Sequence, residues 1–198
     1  MKSIISILCI VFFSFHNTYV NAQLDEFNKE RLATDKKLML GLGAWSSMNL
    51  LGSGVGWAVS SDESTKYFHQ MNVMWNAVNI GLAIPGYIKA KKGKTKLSLF
   101  ETLNHQRKTE TIFLVNAGID LAYISSGLML KNRASTDPSK EAQFIGYGNS
   151  IILQGGFLLL FDWIAFSIHR RHSKNKLSPI LQRIQPSDSG IGFKVNLD

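Results

Sequence analysis

Four blocks of mostly apolar residues alternate with strongly polar connectors along this chain. The blocks run over about residues 39–60, 67–88, 111–130 and 144–168. Each is close to the roughly 20 residues that an α-helix needs to cross the ~30 Å hydrocarbon core of a bilayer. The pattern therefore predicts four transmembrane helices.

Short connectors join these blocks in pairs. Residues 61–66 separate the first two blocks, and residues 132–140, with a turn signal at Asp137-Pro138, separate the last two. Short loops place consecutive helices side by side and antiparallel. The longer polar connector 89–96 separates the two pairs. The predicted fold class is therefore all-α, a four-transmembrane-helix bundle built as two tandem helical hairpins.

Polar stretches with apolar residues at helical spacing precede the first and third blocks. Leu24 and Phe27 open one stretch, and Phe100 and Leu103 open the other. Such spacing indicates either a short helix lying in the membrane interface or an extension of the helix that follows.

The two ends of the chain differ from its middle. Residues 1–22 have a basic start at Lys2, an apolar run and a small residue, Ala22, before a polar segment. This order is typical of a cleaved secretory signal peptide, and an uncleaved anchor is the alternative. Residues 23–172 then form the membrane domain, and the Pro- and Gly-containing residues 173–198 are predicted to be a flexible polar tail.

The charge of the chain changes the expected partners. The net charge is +8, and charged residues make up 18% of the chain, below the roughly 25% of an average soluble domain. Many basic residues lie beside the apolar blocks, as in the loop from Lys89 to Lys96. We therefore expect the lipid bilayer as partner, with anionic lipid at this loop. A second copy of the chain or another membrane protein is a further possibility. Nucleic acid is not expected, because no recognised binding motif accompanies the charge.

Two signals disagree about the orientation in the membrane. A cleaved signal places Gln23 and the loop 89–96 outside the cytoplasm. The positive-inside rule places the same lysine-rich side in the cytoplasm. The signal is the stronger guide, because it directly sets the first crossing.

Cofactor and catalytic motifs are absent from the sequence. The single cysteine, Cys9, lies in the predicted signal, so the mature chain offers no thiolate. His69 is predicted near one membrane surface and His105 and His169 near the other, which disfavours a haem site. No metalloprotease, nucleophile-elbow or phosphate-loop pattern occurs. We expect no cofactor or metal, and an enzyme is the less favoured class.

Nine amide or carboxyl side chains interrupt the four apolar blocks. Lipid cannot satisfy these groups, so they should face the bundle interior as a polar core or as a ligand or cation site. The nine residues are Asn49, Asn72, Asn76, Asn79, Asn116, Asp120, Asn149, Gln154 and Asp162.

The depth of each polar residue follows from its position, at ~1.5 Å of rise per residue. Asn49, Asn79 and Asp120 fall near the midplane on this count. Two further levels are predicted, one toward the side of Gln23 with Asn116 and Asp162, and one toward the opposite side with Asn72 and Asn149.

Three functions compete for this polar core. Interhelical hydrogen bonds, worth about 0.6–2 kcal/mol each in membranes, favour a non-enzymatic protein whose core specifies helix packing or partner assembly. Asp120, with no Lys or Arg inside the spans, favours a small transporter or a proton- or cation-coupled binding protein. The carboxyls of Asp120 and Asp162 leave an intramembrane enzyme as a third reading, without a nucleophile or metal motif behind it.

Three stretches together also carry a family resemblance. They are Tyr67 to Asn72 with Trp75, Asn76 and Asn79; Val115 to Gly118 with Asp120 and Tyr123; and Gly146-x-Gly148 with Gln154, Gly155, Gly156, Phe161 and Asp162. The chain resembles, over about residues 24–170, a family of small bacterial membrane proteins catalogued only as a domain of unknown function. The resemblance implies a helical membrane fold but no particular activity. Together with the export signal it implies a multi-pass protein of the bacterial inner (cytoplasmic) membrane.

Overall fold

Long helices dominate the computed structural model, which describes the backbone of residues 2–187 and 190–193 and the side chains of residues 20–182. The four long helices are α1 (Lys2–Val59), α2 (Glu63–Lys92), α3 (Leu99–Ala134) and α4 (Glu141–His172). A single 3-10 turn, Pro138–Lys140, leads into α4. The described part of the chain is thus helical over almost its whole length, as predicted.

Local sequence signals start two of these helices. Asp62 caps α2 by accepting a 2.7 Å hydrogen bond from the Thr65 backbone N–H. Ser98 and Glu101 form a capping box at α3, because the Ser98 N–H donates to Glu101 Oε2 at 2.9 Å and the Glu101 N–H donates back to Ser98 Oγ. These caps satisfy backbone donors that have no partner within the helix.

The helices pack mainly as two pairs, α1 with α2 and α3 with α4, and α2 also packs along α4. Glycines allow α3 and α4 to approach closely. A Cβ at Gly148 would lie 2.7 Å from the Gly127 carbonyl oxygen, and a Cβ at Gly155 would lie 3.3 Å from the Asp120 carbonyl oxygen. Larger residues here would push the two backbones apart.

The two polar stretches before the first and third apolar blocks are not separate helices. Residues Leu24 and Phe27 lie within α1, and Phe100 and Leu103 lie in the first turns of α3. Both stretches are N-terminal extensions, one of the two arrangements that the sequence allowed. The predicted signal, residues 1–22, is helical backbone from Lys2 onward, and the side chains of its first 19 residues lie outside the described part.

The predicted flexible tail is in part ordered. A π-helical segment, Ser173–Leu177, continues into α5 (Ser178–Arg183), followed by the antiparallel strands β1 (Ile184–Ser187) and β2 (Gly190–Phe193). Leu177 is 1% exposed and packs with Leu24, Phe27 and Ile180. Residues 173–183 are helical because apolar residues at helical spacing give this segment a face to bury. Residues 188, 189 and 194–198 of the tail lie outside the described residues.

Two helical runs in the described part are long and apolar enough to cross a membrane. They are Leu99–Ala134 and the continuous run Pro138–Gln182. The predicted spans 39–60 and 67–88 do not reach that composition. Their glycine, serine and asparagine residues lower the mean hydropathy. Length and composition therefore support two of the four predicted spans.

Candidate functional site

Asn72 of α2 is the centre of a buried cluster of neutral polar side chains, here called the amide cluster. Its side chain is 2% exposed. The Asn72 amide nitrogen donates to Ser53 Oγ at 2.6 Å and to Asn49 Oδ1 at 3.1 Å, both on α1. The Asn72 side-chain oxygen, Oδ1, accepts a hydrogen bond from Gln154 Nε2 of α4. One asparagine thus joins three helices.

Gln154 carries the contribution of α4 to the amide cluster. Its side chain is fully buried. The Gln154 carbonyl oxygen accepts a 3.1 Å hydrogen bond from Trp45 Nε1 on α1, and Trp45 stacks on Phe157 of α4 with ring centroids 3.9 Å apart. Ser150, one turn earlier on α4, places its hydroxyl 3.5 Å from Asn72 Oδ1. Both ends of the Gln154 amide therefore have partners.

Three other predicted amides lie at or beyond the edge of this cluster. Asn76 is fully buried and donates to the Asn72 backbone carbonyl at 2.8 Å. Asn79 is 3% exposed, and its amide nitrogen has no partner among the described residues. Asn149 is half-buried and makes no side-chain hydrogen bond within the described part. Its neighbour Ser150 points toward the bundle interior instead. The sequence count predicted the depth of Asn149 along the helix, but depth does not determine which helix face turns toward the bundle.

A pair of carboxyl groups lies between α3 and α4. Asp120 and Asp162 are 3% and 5% exposed, and the two carboxyl groups are close enough for each to affect the ionisation of the other. The half-buried Asn116 side chain lies beside Asp162. Two ionised carboxylates in contact repel, so this contact needs a proton or a cation between them. The depth count had placed Asp120 level with Asn49 and Asn79, whereas its contact is Asp162.

A second polar layer, here called the charged layer, lies beyond the ends of the apolar blocks. Asp35 of α1 is 3.0 Å from Nε2 of the fully buried His169 on α4 and 3.5 Å from Arg31 Nη1. Phe113 of α3 stacks on the His169 ring, with centroids 5.6 Å apart and the planes 13° from parallel. Burial lowers the pKa of the Arg31 guanidinium, and the Asp35 carboxylate opposes that effect.

Helix α3 completes the charged layer. Gln106 is 2% exposed and donates from Nε2 to the His169 backbone carbonyl at 2.9 Å and to Glu110 Oε1 at 2.8 Å. The second oxygen of Glu110 accepts a 3.2 Å hydrogen bond from Arg170. The layer therefore joins the ends of α1, α3 and α4 through the Asp35–His169 contact, the hydrogen bonds of Gln106 and the Glu110–Arg170 ion pair.

A third group of contacts joins α1 to the C-terminal helical segment. Glu30 accepts from His172 at 2.8 Å and from Lys176 at 3.4 Å, and His172 stacks on Phe27 at 4.4 Å. The hydrogen bond from His172 is the main cause that lowers the pKa of Glu30. His169 and His172 therefore contact carboxylates. Across the described residues, no three His, Cys, Asp or Glu side chains form a group that would hold a metal ion.

Sequence reasoning did not identify the charged layer. Arg31 and Asp35, and likewise Gln106 and Glu110, have the four-residue spacing that places side chains on one helix face. That spacing was the available signal. It is also typical of solvated helix surfaces, so it did not distinguish a buried contact from an exposed one.

The arrangement of long paired helices around a polar interior defines a helical bundle protein. The chain belongs to DUF6992, a family of unknown function that matches residues 41–163. This confirms the resemblance to an uncharacterised domain family. The matched segment contains the amide cluster and the carboxyl pair, whereas Arg31, Asp35 and His169 of the charged layer lie outside it. No curated protein and no solved structure matches the chain.

Proposed function

We propose that this chain is a non-enzymatic integral membrane protein with four spans, and that its amide cluster specifies how the helices pack. The observation that carries the proposal is the inverted polarity of α2. Its buried stripe is Asn72, Asn76 and Asn79. Its exposed stripe, at the same helical spacing, is Met74, Val78 and Leu82, each more than half exposed.

The same inversion extends to the other helices. On α1, Leu51, Val55 and Val59 are 64–74% exposed, while Ser46 and Ser53 are buried. In the apolar windows of α3 and α4 only 22% of the residues are buried. A water-soluble bundle would bury these aliphatic side chains. Lipid is the solvent that makes the outward apolar and inward polar arrangement stable.

The low hydropathy of the first two spans fits this proposal. Their polar residues lower the average, but Asn72 and Asn76 have interhelical or backbone partners inside the bundle. A polar group that is satisfied inside the protein does not have to be solvated by lipid. Mean hydropathy therefore understates how well these helices suit a bilayer.

Membrane integration is tested by carbonate extraction of membranes that contain the full chain, followed by flotation. We expect the protein to remain with the floating membranes. Release into the soluble fraction would contradict the proposal. Single cysteines introduced at Val55 and Val78 on a Cys9→Ser background should react with a lipid-soluble maleimide and resist a membrane-impermeant one. Cysteines at Ser61 and Lys94 provide the matched water-accessible positions.

The proposed location is the bacterial inner membrane, reached by an export signal that is removed after Ala22. The support is the basic start, apolar run and small residue of residues 1–22. N-terminal sequencing of the purified protein should begin at Gln23. A sequence that begins at Met1 would show that the segment stays attached.

A second candidate function is proton or cation handling by the carboxyl pair. The contact between Asp120 and Asp162 favours it, because a pair that needs a bound proton or cation can also exchange it. Proteoliposomes with an internal pH dye test this function. It requires a proton flux that Asp120→Asn abolishes while the variant still assembles. An unchanged flux would leave the pair with a structural role.

A further inference from the structure

A cavity of about 500 Å³ opens between α1, the end of α2 and α3, next to the charged layer. It lies at the ends of the proposed spans, because Met39, Gly86 and Ile112 of its wall fall just inside them and its basic residues, Arg31, Lys89, Lys92, Lys94 and Lys108, fall outside. In the proposed location this is the level where lipid headgroups meet the hydrocarbon. Its volume is within the roughly 300–1,000 Å³ range of small-molecule sites. The cavity is separate from the amide cluster and from the carboxyl pair.

The charge around this cavity is strongly unbalanced. Five cationic side chains line it, from Arg31, Lys89, Lys92, Lys94 and Lys108, against the single carboxylate of Asp35. That carboxylate already contacts Arg31 and His169. The basic residues also affect His105, which lies on the cavity wall. Its pKa is lowered first by burial and then by the charges of Arg31 and Lys89.

Arg31 provides a buried donor at the cavity wall. The residue is 5% exposed, and its Nε has no hydrogen-bond partner among the described residues. A buried guanidinium N–H without an acceptor is costly, whereas a phosphate or carboxylate oxygen would satisfy it with a strong charge-assisted hydrogen bond. An anion bound in the cavity would supply that acceptor.

The rest of the wall is apolar. Leu32, Met39, Leu97, Ile112 and Phe113 line the cavity beside the basic groups. Two glycines of the wall let α1 side chains pack tightly there: a Cβ at Gly93 would lie 2.9 Å from Leu32 Cδ1, and one at Gly86 would lie 3.0 Å from Met39 Cγ. A small inorganic anion would leave this apolar surface uncovered. An anion that carries an acyl chain would cover both parts.

We propose that the cavity binds an anionic glycerophospholipid, with Arg31 as the buried donor to the headgroup phosphate and Lys89 and Lys92 at the rim. The acyl chain then lies along Met39 and Ile112 toward the hydrocarbon. The inference rests on the proposed membrane location for the supply of the ligand. The binding test below uses detergent-solubilised protein and short-chain lipid, so it reads the cavity whether or not the chain spans a bilayer.

The experiment titrates the full-length protein with dihexanoyl phosphatidylglycerol, dihexanoyl phosphatidylcholine and inorganic phosphate, and follows binding by calorimetry. We expect phosphatidylglycerol to bind at least tenfold more tightly than either of the others. Equal binding of the two lipids would overturn the role of charge. Phosphate binding as tight as phosphatidylglycerol binding would overturn the role of the apolar wall.

Substitutions locate the site. Arg31→Gln should weaken phosphatidylglycerol binding by roughly tenfold or more, because it removes a charge-assisted hydrogen bond. Lys89→Gln and Lys92→Gln are at exposed positions outside the packed core, so they keep the test decisive if Arg31→Gln does not fold. Each should weaken binding by about fivefold.

Lys131→Gln and Arg133→Gln, exposed at the opposite end of α3, are matched controls and should leave affinity unchanged. Equal effects of the rim variants and the controls would overturn the site.

Discussion

The amide cluster and the charged layer join overlapping sets of helices by different chemistry. In the cluster, Asn72 and Gln154 exchange hydrogen bonds with α1 through neutral amide, hydroxyl and indole groups. In the layer, Asp35 and Glu110 bind Arg31, His169 and Arg170. Neutral groups are less costly to hold away from water than ions are. The change from amides to ions along the bundle therefore matches a change from hydrocarbon to the interface in the proposed location.

The charged layer and the amide cluster should lose different amounts of stability when one hydrogen-bonding or ionic partner is removed. In the charged layer, loss of the Asp35 carboxylate leaves the buried Arg31 cation unpaired. In the amide cluster, loss of an amide leaves neutral groups unsatisfied. The first defect costs more, because an unpaired buried charge is harder to solvate than an unpaired buried dipole.

The largest effect is expected from Asp35→Asn. The substitution removes the charge that Arg31 and His169 share, and Arg31 is 5% exposed. Because Asp35 is 21% exposed, we expect a cost of about 3 kcal/mol in the free energy of unfolding, the lower end of the range for buried pairs broken from one side. Denaturation in mixed micelles measures this free energy.

Glu26→Gln is the matched control for Asp35→Asn. It lies on the same helix, and its pair with Lys29, at 3.8 Å, is exposed to solvent. Its loss should change the free energy of unfolding by less than about 1 kcal/mol. Equal effects of the two substitutions would contradict the structural role of the charged layer.

The next largest effect is expected from Asn72→Leu. It leaves Gln154 and Ser53 without a shared partner in the interior, at a cost of about 2 kcal/mol in the free energy of unfolding. Asn149→Leu is the control, because Asn149 is half-buried and lies outside the amide cluster. A loss in the control as large as that in Asn72→Leu would show that the helical bundle responds to any added leucine.

The two regions also differ in how far the sequence could predict them. Asn72, Asn76 and Gln154 stand out because they interrupt apolar blocks, and an amide in such a block has to face the bundle interior. The helices and their pairing follow from block length and loop length. The charged layer was missed because Asp35 and Glu110 lie in polar segments, where a charge is usually solvated. Only the extension of α1 and α3 past the apolar blocks brings them into contact with α4.

The rotation of each helix about its own axis is the other feature of the fold that could not be predicted from the sequence. A position count predicts height, so it grouped Asn149 with Asn72 and Asp120 with Asn49. Which face turns inward depends on close contacts such as those of Gly148 and Gly155 with α3. In the structure, Asp162 lies beside Asp120, and Ser150, rather than Asn149, contacts Asn72.

The carboxyl pair, Asp120 with Asp162, combines features of the amide cluster and the charged layer, because its groups can ionise but lie among neutral side chains. Asp120→Asn keeps the size of the side chain and a hydrogen bond to Asp162, so we expect a change of less than about 0.5 kcal/mol in the free energy of unfolding. Asp120→Leu removes that hydrogen bond and should cost about 1 kcal/mol. If Leu is as stable as wild type, the side chain does not contribute to packing through this contact.

The smallest effect is expected beyond the charged layer, in the third group of contacts, where Glu30 meets His172 and Lys176. The hydrogen bond from His172 lowers the pKa of Glu30 below its ordinary value of 4.5, so folding favours the ionised carboxylate. The stability from this contact is therefore fully present above pH 4.5 and is lost as the pH falls through the lowered pKa. Thermal unfolding between pH 3 and 6 should show a decline for the wild type that is shallower in Glu30→Gln. Glu26→Gln, on the same helix, should keep the wild-type slope. If Glu30→Gln also keeps it, the contact does not hold the C-terminal segment against α1.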